Sequence, residues 1–193
     1  MPDLLSFLSV VFITSFTPGP NNIMSMYNAS KFGFKKSFPF NLGILAGFII
    51  IMGLCTAFSS ILSRIIPGIK PFMQVAGAVY ILWLGWKTYK SGNGNNGKSG
   101  ETNSFTSGFL LQFVNPKVIL YGITLISTFV TPYYSALPIL IGFSILLAFI
   151  GFFATCCWAI FGSVFQKVLS ENGKLVNGIM AILLVLCAVS ILL

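Results

Sequence analysis

Six apolar runs occupy most of the chain: Leu4–Asn28, Phe38–Leu62, Phe72–Tyr89, Phe105–Val130, Leu137–Phe165 and Leu175–Leu193. A helix needs about 20 predominantly apolar residues to cross a hydrocarbon core, and these runs are of that order. Turn-forming or charged residues separate them: Lys31, Lys35 and Lys36, then Pro67–Gly68, the polar stretch Ser91–Ser104, Thr131–Pro132 and Glu171–Gly173. A soluble domain carries about 25% charged residues on its solvated surface. Here only 7% of residues are charged and 56% are hydrophobic. The pattern predicts an all-α membrane protein of six transmembrane helices, with lipid as its solvent.

The net charge of +8 does not point to nucleic acid, because the basic residues lie singly or in small groups between apolar runs and form no basic face. They fit topology better. The loops after the first, third and fifth runs, with the last turn of the third, hold Lys31, Lys35, Lys36, Lys87, Lys90, Lys98, Lys167 and Lys174, against Arg64 and Lys70 on the opposite side. Lysine and arginine in short loops mark the cytoplasmic side, so both termini are expected outside the cytoplasm. Trp83, Trp86 and Tyr89 stand where an interfacial aromatic belt would. No basic region precedes the first run, so no cleavable secretory signal is expected. Cys55, Cys156, Cys157 and Cys187 all lie in apolar stretches without metal-site spacing, and read as small packing residues.

The segment SGNGNNGKSGETNS is rich in Gly, Asn and Ser, a composition that makes a flexible linker. It divides the chain into residues 1–90, a first three-helix unit, and residues 105–193, a second, with 91–104 as a cytoplasmic linker inside one membrane domain. An odd number of spans in each half reverses the direction of the second, so related halves would form a 3+3 inverted repeat.

The first helix of each half is broken. Thr17-Pro18-Gly19-Pro20-Asn21 interrupts the first run, and Asn115-Pro116-Lys117 the fourth. Proline removes a backbone donor and clashes with the preceding turn. Asn21 and Asn115 suit N-caps for the helices that restart, with Pro116 at the first helical position. At about 1.5 Å per residue, both breaks lie roughly 12–15 Å from the cytoplasmic interface, near the middle of the core. Matching breaks in two inverted halves point to a transporter's substrate site, and unwound backbone at that depth must face protein or a water-filled cavity. The two breaks are therefore expected to face each other.

Apart from Lys87 in the last turn of the third run, Lys117 is the only Asp, Glu, Lys or Arg within a run. A charge at mid-membrane costs at least about 2.5–3.5 kcal/mol, so it normally has a partner or a task. With no acidic side chain in the runs, a substrate carboxylate is the expected partner, and the substrate ammonium would meet freed carbonyls around Thr14–Thr17. The candidate substrate-binding residues are Thr17, Pro18, Gly19, Pro20, Asn21, Asn22, Asn115, Pro116, Lys117 and Tyr121; no metal or cofactor is expected. Asn41, Gln112 and Thr124 read more simply as helix-to-helix hydrogen-bonding groups. Gly43 with Gly47, and Gly77 with Gly85, allow close helix approach, within the chain or in a homodimer.

The motifs TPGPNN at Thr17–Asn22 and NPK at Asn115–Lys117 resemble those of the LysE/RhtB family of bacterial amino-acid exporters. GAVYILWLGWK at Gly77–Lys87 resembles its third-helix pattern, and FTSGFLLQFVNPKVILY at Phe105–Tyr121 its fourth-helix signature. The resemblance covers essentially the whole chain. It implies a multi-pass protein of the bacterial inner membrane that exports small amino acids, with coupling to the proton gradient. Leu111–Val130, Cys157–Gly162 and Leu186–Val189 are most similar to the branch that exports cysteine and O-acetylserine. Exporters of threonine and homoserine, or of leucine, share the motifs. Val118 departs from the alanine that many members carry after NPK, and a bulkier side chain there would narrow a pocket.

Other classes fit less well. An intramembrane hydrolase needs an activated nucleophile or a metal, and the chain has no histidine and no acidic residue within a run. The missing relay groups also leave Lys117 as the one intramembrane candidate for carrying a proton. A non-transporting subunit of a membrane complex would show no flux alone, and a channel would show passive rather than saturable flux.

Overall fold

The computed structural model describes residues 4–90, 102–166 and 173–192. The linker from Ser91 to Glu101, the loop residues Lys167 to Asn172, and the charge assignments that rest on Lys98 and Lys167 lie outside these. In chain order the helices are α1 (Leu4–Phe16), α2 (Pro20–Phe32), α3 (Phe34–Ala57), α4 (Ser59–Lys90), α5 (Phe105–Val114), α6 (Pro116–Thr124), α7 (Leu137–Val164) and α8 (Gly173–Leu192). A π-helical turn over Leu125–Val130 continues α6. No strand occurs among the described residues.

The helices α3, α7 and α8 are each long and apolar enough to cross a membrane. Two bent pairs do so as units: α1 with α2, bent by 44°, and α5 with α6 and its π-helical turn, bent by 62°. That makes up to five spans. The expected third span falls on α4, which is long but diluted by Lys70, Gln74, Tyr80, Trp83, Trp86 and Lys87.

One boundary differs from expectation. The turn between the second and third runs is not at Pro67–Gly68 but at Phe58, whose N–H bonds back to Leu54 O at 3.0 Å. The helix α4 then runs unbroken past Pro67 and Pro71.

Polarity is distributed inside out. Large apolar side chains such as Leu5, Phe72, Phe149 and Val164 face outward, while Asn28, Asn41, Gln112 and Thr155 are buried. Trp83, Trp86 and Tyr89 are also exposed, with Lys87 and Lys90 lying over the rings of Trp83 and Trp86. A surface of this kind suits lipid.

Packing fixes the mutual direction of the elements. Asn41 meets Cys156, Phe48 meets Gly151 and Thr56 meets Ser144, so α3 and α7 run antiparallel. Gly85 facing Ala181 and Gln74 donating to Ile191 O make α4 and α8 antiparallel as well. By contrast α3 and α5 run in the same direction, since Gly43 faces Phe105 and Gly47 faces Phe109. These contacts are very close. A β-carbon at Gly43 would lie 2.0 Å from the Phe105 carbonyl oxygen, one at Gly108 2.1 Å from that of Phe40, and one at Gly162 2.2 Å from that of Met26. Asn28 donating to Thr102 O (3.1 Å) and Asn103 donating to Lys36 O (3.0 Å) knit the same end of the bundle.

Candidate functional site

The first break is an accounting problem for backbone carbonyls. Pro18 and Pro20 have no N–H, so the carbonyls of Thr14 and Phe16 lose their helical donors. Trp158 Nε1, from α7, donates to Phe16 O at 3.3 Å. Asn22 Nδ2 donates to both Ser15 O and Thr17 O, each at 2.9 Å. Lys117 Nζ, from the other broken pair, donates to Thr17 O at 2.9 Å. The expectation that a cargo ammonium would meet the freed carbonyls is thus narrowed, because side chains already take those of Ser15, Phe16 and Thr17. Thr14, whose carbonyl Pro18 cannot serve, lines the adjoining cavities.

The α2 helix restarts with Gly19 as its N-cap and Pro20 at its first turn; no side chain caps it. Asn21 does not take the capping place expected for it, because its side chain reaches across to the second break. Its Nδ2 donates to Gln112 Oε1 (2.8 Å), and its Oδ1 accepts from Gln112 Nε2 (3.2 Å) and Asn115 Nδ2 (3.1 Å). Asn115 does cap α6 as expected, its Oδ1 accepting from Lys117 N at 3.1 Å. Pro116 follows at the first helical position. The breaks therefore face each other through a buried amide cluster, and buried amides of this kind must be mutually satisfied.

Gly19 keeps the crossing open. A β-carbon there would stand 3.1 Å from Lys117 Nζ and 3.2 Å from its Cδ. On the far side Gly77 of α4 lies under Pro116, where a β-carbon would be 2.6 Å from the proline Cδ. Glycine at both positions lets three backbones converge on the second break.

Comparison with known proteins bears on what such a site serves. The sequence pattern of the LysE type translocator family matches residues 12–193. The chain belongs to that family. It is also 44% identical over 191 residues, 98% of each chain, to the cysteine/O-acetylserine efflux proteins of Escherichia coli K12, Escherichia coli O1:K1 and Shigella sonnei. No solved structure matches. Family and outward-facing apolar helices together make this a multi-pass membrane protein.

In this LysE family member two cavities adjoin the breaks. One of about 730 Å³ lies between α1, α4, α6 and α8, lined among others by Thr17, Pro18, Gln74, Pro116 and Cys187. One of about 30 Å³ lies deeper, toward α3 and α7, and takes in Asn21, Asn22 and Asn115. Gly19, Pro20, Lys117 and Tyr121 border both. All ten residues expected at the site are thus brought together. Lys117 and Lys70 line the larger cavity, and no Asp or Glu occurs among the described residues. The local field favours an anion.

Other residues at the site were not singled out for it from sequence. Gln112, weighed as a plain helix-to-helix group, is a hub of the amide cluster. A signal existed, since Gln112 sits one turn before Pro116 in an apolar run. Ser15 approaches the Tyr121 hydroxyl at 3.4 Å. Phe48, Gly151 and Thr155 close the smaller cavity, and only the packing of α3 and α7 brings them there.

Proposed function

We propose that this chain exports small amino acids, cysteine and O-acetylserine in particular, across the bacterial inner membrane. The observation that carries the reading is the 44% identity over 98% of both chains to efflux proteins of that name. In this reading the cargo carboxylate binds Lys117 where the two cavities meet, and its ammonium turns to the Thr14 carbonyl. Asn21, Asn22, Gln112 and Asn115 hold the breaks in register, while Thr17, Pro18, Gly19, Pro20, Pro116 and Tyr121 wall the site.

Six spans arranged as a 3+3 inverted repeat, residues 1–90 and 105–193, complete the architecture, with α4 as the remaining span. Antiparallel packing of α3 on α7 and of α4 on α8 supports this, since those are the pairs that two oppositely directed halves would place together. Lysine placement supports non-cytoplasmic termini. Transport then proceeds by alternating access around a midplane site. The close glycine contacts at the end carrying Asn28, Lys36 and Thr102 correspond to a closed cytoplasmic side, and the 730 Å³ cavity to an open exterior one. Coupling to the proton gradient belongs to the same proposal, and an imposed pH gradient in vesicles tests it.

The deciding experiment is efflux of labelled cysteine and O-acetylserine from cells expressing the chain, with Lys117→Ala and empty vector alongside. Export that collapses in the variant at equal membrane level is expected. Absence of export by the wild-type chain would discard the cargo, and full export by Lys117→Ala would discard the site.

A further inference from the structure

Part of the smaller cavity is walled by residues that do not border the larger one. Phe48 of α3, Val118 of α6, and Gly151 and Thr155 of α7 form this recess. Phe48 is held on two sides. Its ring packs edge-on against Tyr121, with centroids 5.9 Å apart, and lies so close over Gly151 that a β-carbon there would be 2.9 Å from two ring carbons. Val118 is 3% exposed and Phe48 6%, so neither yields space without moving the core.

The volume sets a limit. The whole smaller cavity holds about 30 Å³, and a single water requires about 10–15 Å³ by this measure, so the recess within it takes at most about two or three heavy atoms. A CH₂–SH or CH₂–OH group fits that description, while a branched four-carbon side chain does not. Polarity adds a second condition. Thr155 commits its hydroxyl hydrogen to Phe152 O at 2.7 Å, so toward the recess its oxygen acts as an acceptor. Apolar carbon with one acceptor suits a short side chain that ends in a weak donor.

We infer that this recess receives the cargo side chain, and that Phe48, Val118 and Gly151 set its maximum length. The inference rests on the reading that Lys117 holds the cargo carboxylate where the cavities meet. A thiol-bearing cargo fits within the recess. An O-acetyl chain exceeds it and turns back into the larger cavity.

The test is competition: efflux of labelled cysteine against a panel of unlabelled alanine, cysteine, O-acetylserine, threonine, methionine and leucine, at matched membrane levels. Val118→Ala is expected to raise the standing of methionine and leucine relative to cysteine by on the order of tenfold, the scale of a small hydrophobic change in a pocket. Gly151→Ala, which presses Phe48 into the recess, is expected to depress cysteine by a similar factor while sparing alanine. Gly53→Ala, where a β-carbon meets nothing within 4 Å, is expected to keep the wild-type ranking. Should Gly151→Ala fail to reach the membrane, Phe48→Leu widens the recess from another wall and should act as Val118→Ala does. An unchanged ranking in both widening variants would overturn the recess. If the wild-type chain exports other amino acids instead, the cargo reading falls, and the same shift among the amino acids it does export decides the recess.

Discussion

Asn21 of α2 and Gln112 of α5 exchange two hydrogen bonds, of 2.8 and 3.2 Å, although 91 residues separate them. Both are buried, Gln112 completely. Each amide satisfies the other, and Gln112 Nε2 additionally donates to Gly108 O at 2.9 Å. Removing one partner leaves the other unsatisfied, which costs about 1–3 kcal/mol. Asn21→Ala and Gln112→Ala should each lower the thermal midpoint in detergent, and the double variant should lose less than the sum. Strict additivity in that cycle would mean that the pair does not couple.

Asn22 serves two carbonyls that the proline-rich break strands. Asn22→Leu keeps bulk but removes the donor to Ser15 O and Thr17 O, with an expected cost of about 1–3 kcal/mol and loss of efflux. Asn22→Asp should be no better, because a carboxylate oxygen faces two carbonyl oxygens. Thermal unfolding together with efflux checks this, and wild-type behaviour of Asn22→Asp would refute the assigned role.

The glycines at opposite ends of the bundle predict opposite tolerances. Gly43→Ala or Gly108→Ala drives a methyl group into a carbonyl and forces α3 and α5 apart, which overpacking places at about 1–3 kcal/mol. Gly53→Ala and Gly142→Ala meet nothing within 4 Å and should leave the midpoint unchanged. Equal midpoints across all four variants would contradict the packing described.

Cysteine accessibility reads out the open side. Cys187 lines the 730 Å³ cavity, whereas Cys55 is buried. In variants that retain a single cysteine, a membrane-impermeant thiol reagent added outside the cell should label Cys187 and spare Cys55. Labelling of Cys187 only in inverted vesicles would reverse the proposed orientation.

Much of this arrangement was legible in the sequence because its signals are local. Apolar runs bounded by the polar stretch Ser91–Ser104, Thr131–Pro132 and Glu171–Gly173 located the ends of α7 and of the second broken pair to within a residue or so. Prolines at positions 18, 20 and 116 marked both breaks, and the midplane depth argument required them to face each other. The signals that failed were those overruled by tertiary contact. Pro67–Gly68 has turn composition, yet the chain turns at Phe58 and continues as helix. Asn21 looks like an N-cap but turns toward Gln112, a partner no local pattern reveals. The wall formed by Leu183, Cys187 and Ile191 of α8 depends on how α8 lies against α4. That direction is a property of the assembled bundle.

Asn115 performs two tasks with one side chain: its oxygen fixes the first turn of α6, and its nitrogen holds Asn21 across the gap. It is placed like a fulcrum between the two broken helices. A displacement of α2 that draws Asn21 away must pull on the same amide that seats the backbone of Lys117. The lysine's position thus registers the posture of the first broken helix as well as its own, through the Asn115 amide at its backbone and through Thr17 O at its ammonium.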